Sequence, residues 1–132
     1  MVKKGGTVTD TTAAAERAAR WQELNRLHAT VSQRLEQALR AGHELTPPEY
    51  EILAGVAGSD SGCMRMQRVA ELVGLPQSTT SRLVARLESA GLLERYLCDT
   101  DRRGVYTQIT PTGRAIQAAA AATYDDVLRE VL

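Results

Sequence analysis

A mainly α fold with a small β-hairpin is predicted for this chain of 132 residues, on three observations. Apolar residues recur at steps of three and four over most of the length, the period of a buried helix face. One switch to strand-like composition follows Gly91, where LLERYLC and VYTQIT flank the polar stretch DTDRRG. Helix starts and stops punctuate the rest: Gly42, Thr46-Pro47-Pro48-Glu49, Gly74, Gly91 and Thr110-Pro111.

Residues 1–10 are polar, Gly-containing and aperiodic, which predicts a disordered tail. Residues 11–42 form the first helix, free of Pro and Gly from Thr12 to Ala41. Its stripe is Trp21, Leu24, His28, Val31, Leu35 and Ala38. A second helix starts with Thr46 as cap, Pro47 in the first turn and Glu49 closing a capping box, and buries Tyr50, Leu53 and Val56 before ending near Ala57. Residues 58–62 are a loop by composition. Two further helices, 66–73 and 77–90, are stopped by Gly74 and Gly91 and bury Val69, Ala70 and Val73, and Leu83, Val84 and Leu87. The hairpin follows, and residues 111–132 make a last helix with Ile116, Ala120, Tyr124, Val127 and Val131 on one side. Both terminal helices carry Ala-rich apolar stripes with no evident partner in so small a chain, so a symmetric homodimer is expected to bury them.

The formal net charge is zero, with 16 Lys and Arg against 16 Asp and Glu. The distribution is uneven: residues 60–114 carry eight Lys/Arg against six Asp/Glu, and residues 115–132 carry one against three. A protein that binds nucleic acid through bulk charge alone is thereby disfavoured. No run approaches the roughly 20 apolar residues of a membrane span, and no apolar segment follows Lys3 and Lys4, so a cytoplasmic protein without membrane association is expected.

Between the third and fourth helices, Ala70, Gly74 and Thr80 have helix-turn-helix spacing: a small residue for the crossing, a left-handed turn, and a small β-branched residue near the contact. The fourth helix opens with Gln77, Ser78, Thr79, Thr80, Ser81 and Arg82. Gln pairs bidentately with adenine and Arg with guanine, while Ser and Thr reach bases or phosphates. Arg86 lies one turn beyond Arg82, opposite Leu83, Val84 and Leu87. Arg102 and Arg103 at the hairpin tip suit the narrow minor groove, with Asp101 holding an arginine in an extended pose. The competing readings are a polar helix end with solvated arginines, and a charged turn that protects an edge hairpin from aggregation.

QSTTSRLVARLESAGLLER followed by DTDRRGVYTQITPTG resembles the MarR family of bacterial transcription regulators over residues 45–114, with the wing pattern met by Asp101, Arg103, Ile109 and Thr110. The resemblance implies a winged helix-turn-helix over residues 45–110, with N- and C-terminal dimerisation helices at 11–42 and 111–132. It further implies a homodimeric repressor on a palindromic operator in double-stranded DNA. The recognition helix, 77–90, would lie in the major groove and the wing, 98–105, in the minor groove. DNA release by a small phenolic or other anionic effector bound between the lobes is also implied. Thr80 stands where the family often has Val and Pro76 where it often has a capping Ser, and the last helix is short for the family.

Periodicity nominates Trp21, His28 and Tyr50 for an effector pocket. His28 otherwise reads as a packed or interface histidine, and His43 as solvated. Two scattered His and two Cys offer no metal set, so no metal or cofactor is expected. No nucleophile–base pair, phosphate loop or carboxylate dyad stands out, so no enzymatic activity is expected. Two other readings remain: a winged-helix module for a protein partner, and a redox-responsive regulator using Cys63 or Cys98.

Overall fold

The computed structural model describes the backbone of residues 4–98 and 101–132 and the side chains of residues 10–96 and 104–132. Helix α1 spans Lys4–His43 and α2 Pro47–Ala57; a 3₁₀ turn at Asp60–Gly62 leads to strand β1, Cys63–Arg65. Helices α3, Met66–Val73, and α4, Gln77–Ser89, precede strands β2, Leu93–Cys98, and β3, Asp101–Ile109. Helix α5, Pro111–Val131, completes the mainly α fold.

Two expectations are corrected here and one, the hairpin, is extended. The backbone is helical from Lys4, so the tail predicted over residues 1–10 does not hold from that point on. Once a helix is nucleated, each added residue gains one hydrogen bond at little further cost, and no Pro interrupts the register. The hairpin is in fact part of a three-stranded antiparallel sheet, β1-β3-β2, with Met64 opposite Thr107 and Arg95 opposite the same residue. Three residues are too few to display the period-two alternation by which a strand is recognised. Finally, the terminal helices do find a partner within the chain, since the C-terminal part of α1 packs along α5.

That packing explains the core. Leu35 and Leu39 of α1 are buried with Ile52, Leu53 and Val56 of α2 and Ala120 and Val127 of α5. Tyr50 and Tyr124 stack at 4.5 Å between ring centroids, and the Tyr124 hydroxyl donates to Glu51 Oε2 at 3.0 Å. Partial burial, reinforced by the Glu51 carboxylate, pushes the Tyr124 phenol up to about 12. His43 Nε2 lies 2.8 Å from Thr123 Oγ1, and Arg34 pairs with Glu130. Every residue from 14 to 30 of this 40-residue helix is exposed, and its buried positions begin only at Leu35.

The second layer of the core joins the helix-turn-helix to the sheet. Val69, Val84 and Leu87 from α3 and α4 meet Leu92, Leu93 and Ile109. Gly74 ends α3 at φ +68°, the left-handed turn its position predicts. Thr110 locks the end of the sheet to α4 and α5. Its hydroxyl donates to the Gly91 carbonyl at 2.7 Å and accepts from Gly113 N at 2.9 Å, while its N–H donates to the Leu92 carbonyl at 3.1 Å. The Ile109-Thr110 end of the wing pattern thus has a structural basis: one side chain buried in the core, the next tying three segments together.

Candidate nucleic-acid interface

Helix α4 divides into two faces. Thr80, Val84 and Leu87 are buried, whereas Gln77, Ser78, Arg82 and Arg86 are exposed, with Thr79 and Ser81 half-buried. Thr80, inside the crossing at 0% exposure, donates its hydroxyl back to the Pro76 carbonyl at 3.0 Å and so remains satisfied where Val would carry no polar atom. Pro76 occupies the cap position and makes no side-chain cap bond, so no side chain at that position covers the first N–H groups of α4.

Arg82 forms no ion pair with any described residue and extends from the exposed face. Arg86 is exposed as well, and its Nη1 pairs with Glu49 Oε2 at 3.3 Å, on the side of α4 that faces the start of α2. Periodicity placed Arg82 and Arg86 on one helix face, but it could not show that a buried carboxylate from another helix lies within reach of the second.

Beside the N-terminal end of α4, a polar cleft of about 330 Å³ opens towards the wing. Gln77 and Ser81 of α4 line it together with Arg65, Gln67, Arg95 and Gly104. The guanidinium of Arg65 lies over the Tyr106 ring, 5.8 Å from its centroid, and Tyr106 stacks on Tyr96 at 5.7 Å. Arg95 pairs with Glu88 at 3.2 Å. Arg65, Gln67 and Arg95 were not singled out in the sequence, because each looks like an ordinary surface residue until the sheet brings them together. Asp101, Arg102 and Arg103 belong by backbone to the start of β3, and their side chains, like that of Cys98, lie outside the described residues.

The three residues nominated for a pocket are not brought together. Trp21 is 63% exposed on the bare half of α1, His28 is exposed with its Nε2 3.5 Å from Ser32 Oγ, and Tyr50 is buried against Tyr124. A smaller cleft of about 230 Å³ instead separates the end of α1 from α4 and α5, with His43, Glu49 and Arg86 above Leu87, Leu92 and Ile116. Cys63 is half-buried; the Tyr96 hydroxyl lies 3.1 Å from its Sγ, and its thiol donates to the Asp60 carbonyl at 3.8 Å. Among the described residues, no three His, Cys, Asp or Glu side chains are placed to hold a metal ion, and no helix is long and apolar enough to cross a membrane.

The family model described as MarR family matches residues 43–104, from the end of α1 to the first part of β3. Over these residues the chain is similar to the MarR family. Over 89 residues the chain is 29% identical to the transcriptional regulator HosA of Escherichia coli O111:H-, a match covering 67% of this chain and 64% of HosA. It therefore spans just under two thirds of that curated relative. The fold matches AbsC, a MarR-family transcriptional regulator from Streptomyces coelicolor, at TM-score 0.81 and 27% identity over 87% of this chain and 77% of AbsC. Sco3205, another MarR-family regulator from Streptomyces coelicolor and solved in complex with DNA, matches at TM-score 0.83 and 25% identity over 89% of this chain and 74% of Sco3205. The mainly α winged helix-turn-helix architecture expected from the sequence is the one these structures share.

Proposed function

We propose that this chain is a sequence-specific DNA-binding transcription regulator of the MarR family, acting as a homodimeric repressor on a palindromic operator. The observation that carries this reading is the divided α4: Thr80, Val84 and Leu87 are buried in the core, and Gln77, Ser78 and Arg82 stand exposed on the other side. These side chains suit base edges in the major groove, with Thr79 and Ser81 supporting at the flank and Arg102 and Arg103 of the wing, positioned by Asp101, in the minor groove. Sco3205, of the same fold, forms a DNA complex, which supports the reading.

The dimer is supported by the bare half of α1, where Trp21, Leu24 and Leu27 are 63%, 58% and 41% exposed. An isolated helical segment is marginal in water without a packing partner, and a second copy of the same helix supplies one under two-fold symmetry. In such a dimer the two recognition helices would enter successive major grooves roughly 34–36 Å apart. A small anionic effector would fit the cleft at His43 and Arg86, where it would compete with Glu49 for the guanidinium. In this reading the protein is a cytoplasmic non-enzyme.

The test is selection of duplexes from random DNA by the full chain, followed by fluorescence anisotropy with a scrambled competitor. Enrichment of a palindrome that resists the competitor is expected, together with a loss of about 1–3 kcal/mol and relaxed specificity for Arg82→Ala. No enrichment, with capture by a protein partner instead, overturns the reading in favour of a protein-interaction module.

A further inference from the structure

We infer that Tyr124 of α5 and Glu51 of α2 are positioning residues that set the angle at which each recognition helix is presented to DNA. The inference rests on the homodimeric DNA-binding reading and adds to it a joint between the dimerising helices and the lobe that carries α4.

Helices α1 and α5 pack on each other, and the segments from α2 to β3 form the lobe. Two polar attachments hold α5 to that lobe. The first is at Thr110, whose hydroxyl donates to the Gly91 carbonyl at 2.7 Å. The second is at Tyr124, about four helical turns or ~21 Å further along. There the Tyr124 ring stacks on Tyr50 at 4.5 Å with 27° between the planes, and its hydroxyl donates to Glu51 Oε2 at 3.0 Å. Gln117 Nε2, on the same side of α5, lies 3.5 Å from the Tyr50 hydroxyl. A helix held at one point can pivot, whereas two distant points fix its direction. In a two-fold dimer that direction sets the separation of the recognition helices, and with it the half-site spacing the protein accepts.

The first turn of α2 connects this joint to α4. Tyr50 and Glu51 meet α5, while the preceding residue, Glu49, pairs with Arg86 of α4 at 3.3 Å. Helices α5 and α4 are thus both seated on one turn. Ala120 and Val127 also bind α5 through the core, but apolar burial is non-directional and leaves packed helices able to slide. A phenol donating to a carboxylate is directional and charge-assisted. With its phenol pushed up to about 12, chiefly by partial burial, Tyr124 remains a donor throughout the neutral range.

The experiment uses the full chain and the palindrome it enriches from random DNA. Affinity is compared with that for duplexes whose half-sites are moved closer or further apart, and for a single half-site. Tyr124→Phe keeps the stacked ring and loses the donor, Glu51→Leu loses the acceptor, and Glu51→Gln keeps an acceptor oxygen. Tyr124→Phe and Glu51→Leu are each expected to lower the preference for the enriched spacing by about five- to tenfold, the weight of one such hydrogen bond. Affinity for the single half-site should stay unchanged. The double variant should lose no more than either single one, and Glu51→Gln should keep the wild-type preference. If Glu51→Leu does not fold, Tyr124→Phe carries the same expectation. An unchanged preference in the folded variants, or an equal loss at every spacing and at the half-site, overturns the joint and leaves the DNA-binding reading standing. Failure of the wild-type chain to enrich any palindrome overturns both.

Discussion

Glu49 and Arg86, 37 residues apart, meet at 3.3 Å and join the start of α2 to the last turn of α4. The carboxylate is 4% exposed and uses both oxygens. Oε1 accepts from the Thr46 N–H at 2.8 Å and the Thr46 hydroxyl at 3.0 Å, and Oε2 accepts from Arg86. The residue that closes a local capping box therefore also sets the seating of α4. Loss of Glu49 removes both functions, whereas Arg86, with its side chain 66% exposed, is partly satisfied by water when released. Glu49→Ala is expected to cost about 1–2 kcal/mol and Arg86→Ala less, as measured by urea denaturation midpoints. Equal losses would assign the stabilisation to the ion pair rather than to the cap.

The Trp21 stripe leads to an association prediction. Replacing Trp21 and Leu24 together by Ala should leave the thermal unfolding of the isolated fold nearly intact, because neither side chain enters the core. It should shift sedimentation at micromolar concentration from dimer towards monomer. A double variant that remains fully dimeric would place the interface elsewhere, on α5 or on the later turns of α1.

Thr107 is wholly buried in β3, and its hydroxyl has no hydrogen-bond partner. A buried hydroxyl left without a partner forfeits its hydration for no return. Thr107→Val keeps the shape and the β-branching, so it is expected to raise stability by about 1 kcal/mol, read as a higher denaturation midpoint. A fall would show that the hydroxyl is satisfied in solution.

Gly113 sits in the first turn of α5, where a Cβ would overlap the Leu92 carbonyl oxygen. On helix propensity alone, Gly→Ala gains about 1 kcal/mol. The overlap is with backbone that also accepts from Thr110 N–H, and backbone cannot rotate aside. Gly113→Ala is therefore expected to destabilise by about 2 kcal/mol. A calorimetric midpoint at or above wild type would mean that α5 can shift without loss.

Local chemistry by itself determined the helices, their stops and the polar opening of α4. The capping box at Thr46 and Glu49, the left-handed turn at Gly74 and the polar opening of α4 depend on neighbours within about one helical turn, which the sequence displays directly. Tertiary structure alone decided the rest, because it depended on residues distant along the chain. Strand β1 exists only because β3 returns to pair with it, and Arg65 meets the Tyr106 ring only across that sheet. The same holds for α1, whose stripe is continuous in sequence: from Val31 it packs into its own core, while Trp21 and Leu24 are left bare. Periodicity records which face is apolar, but α5 spans only 21 residues to the 40 of α1, and this difference in length decides how much of the face the chain can cover for itself.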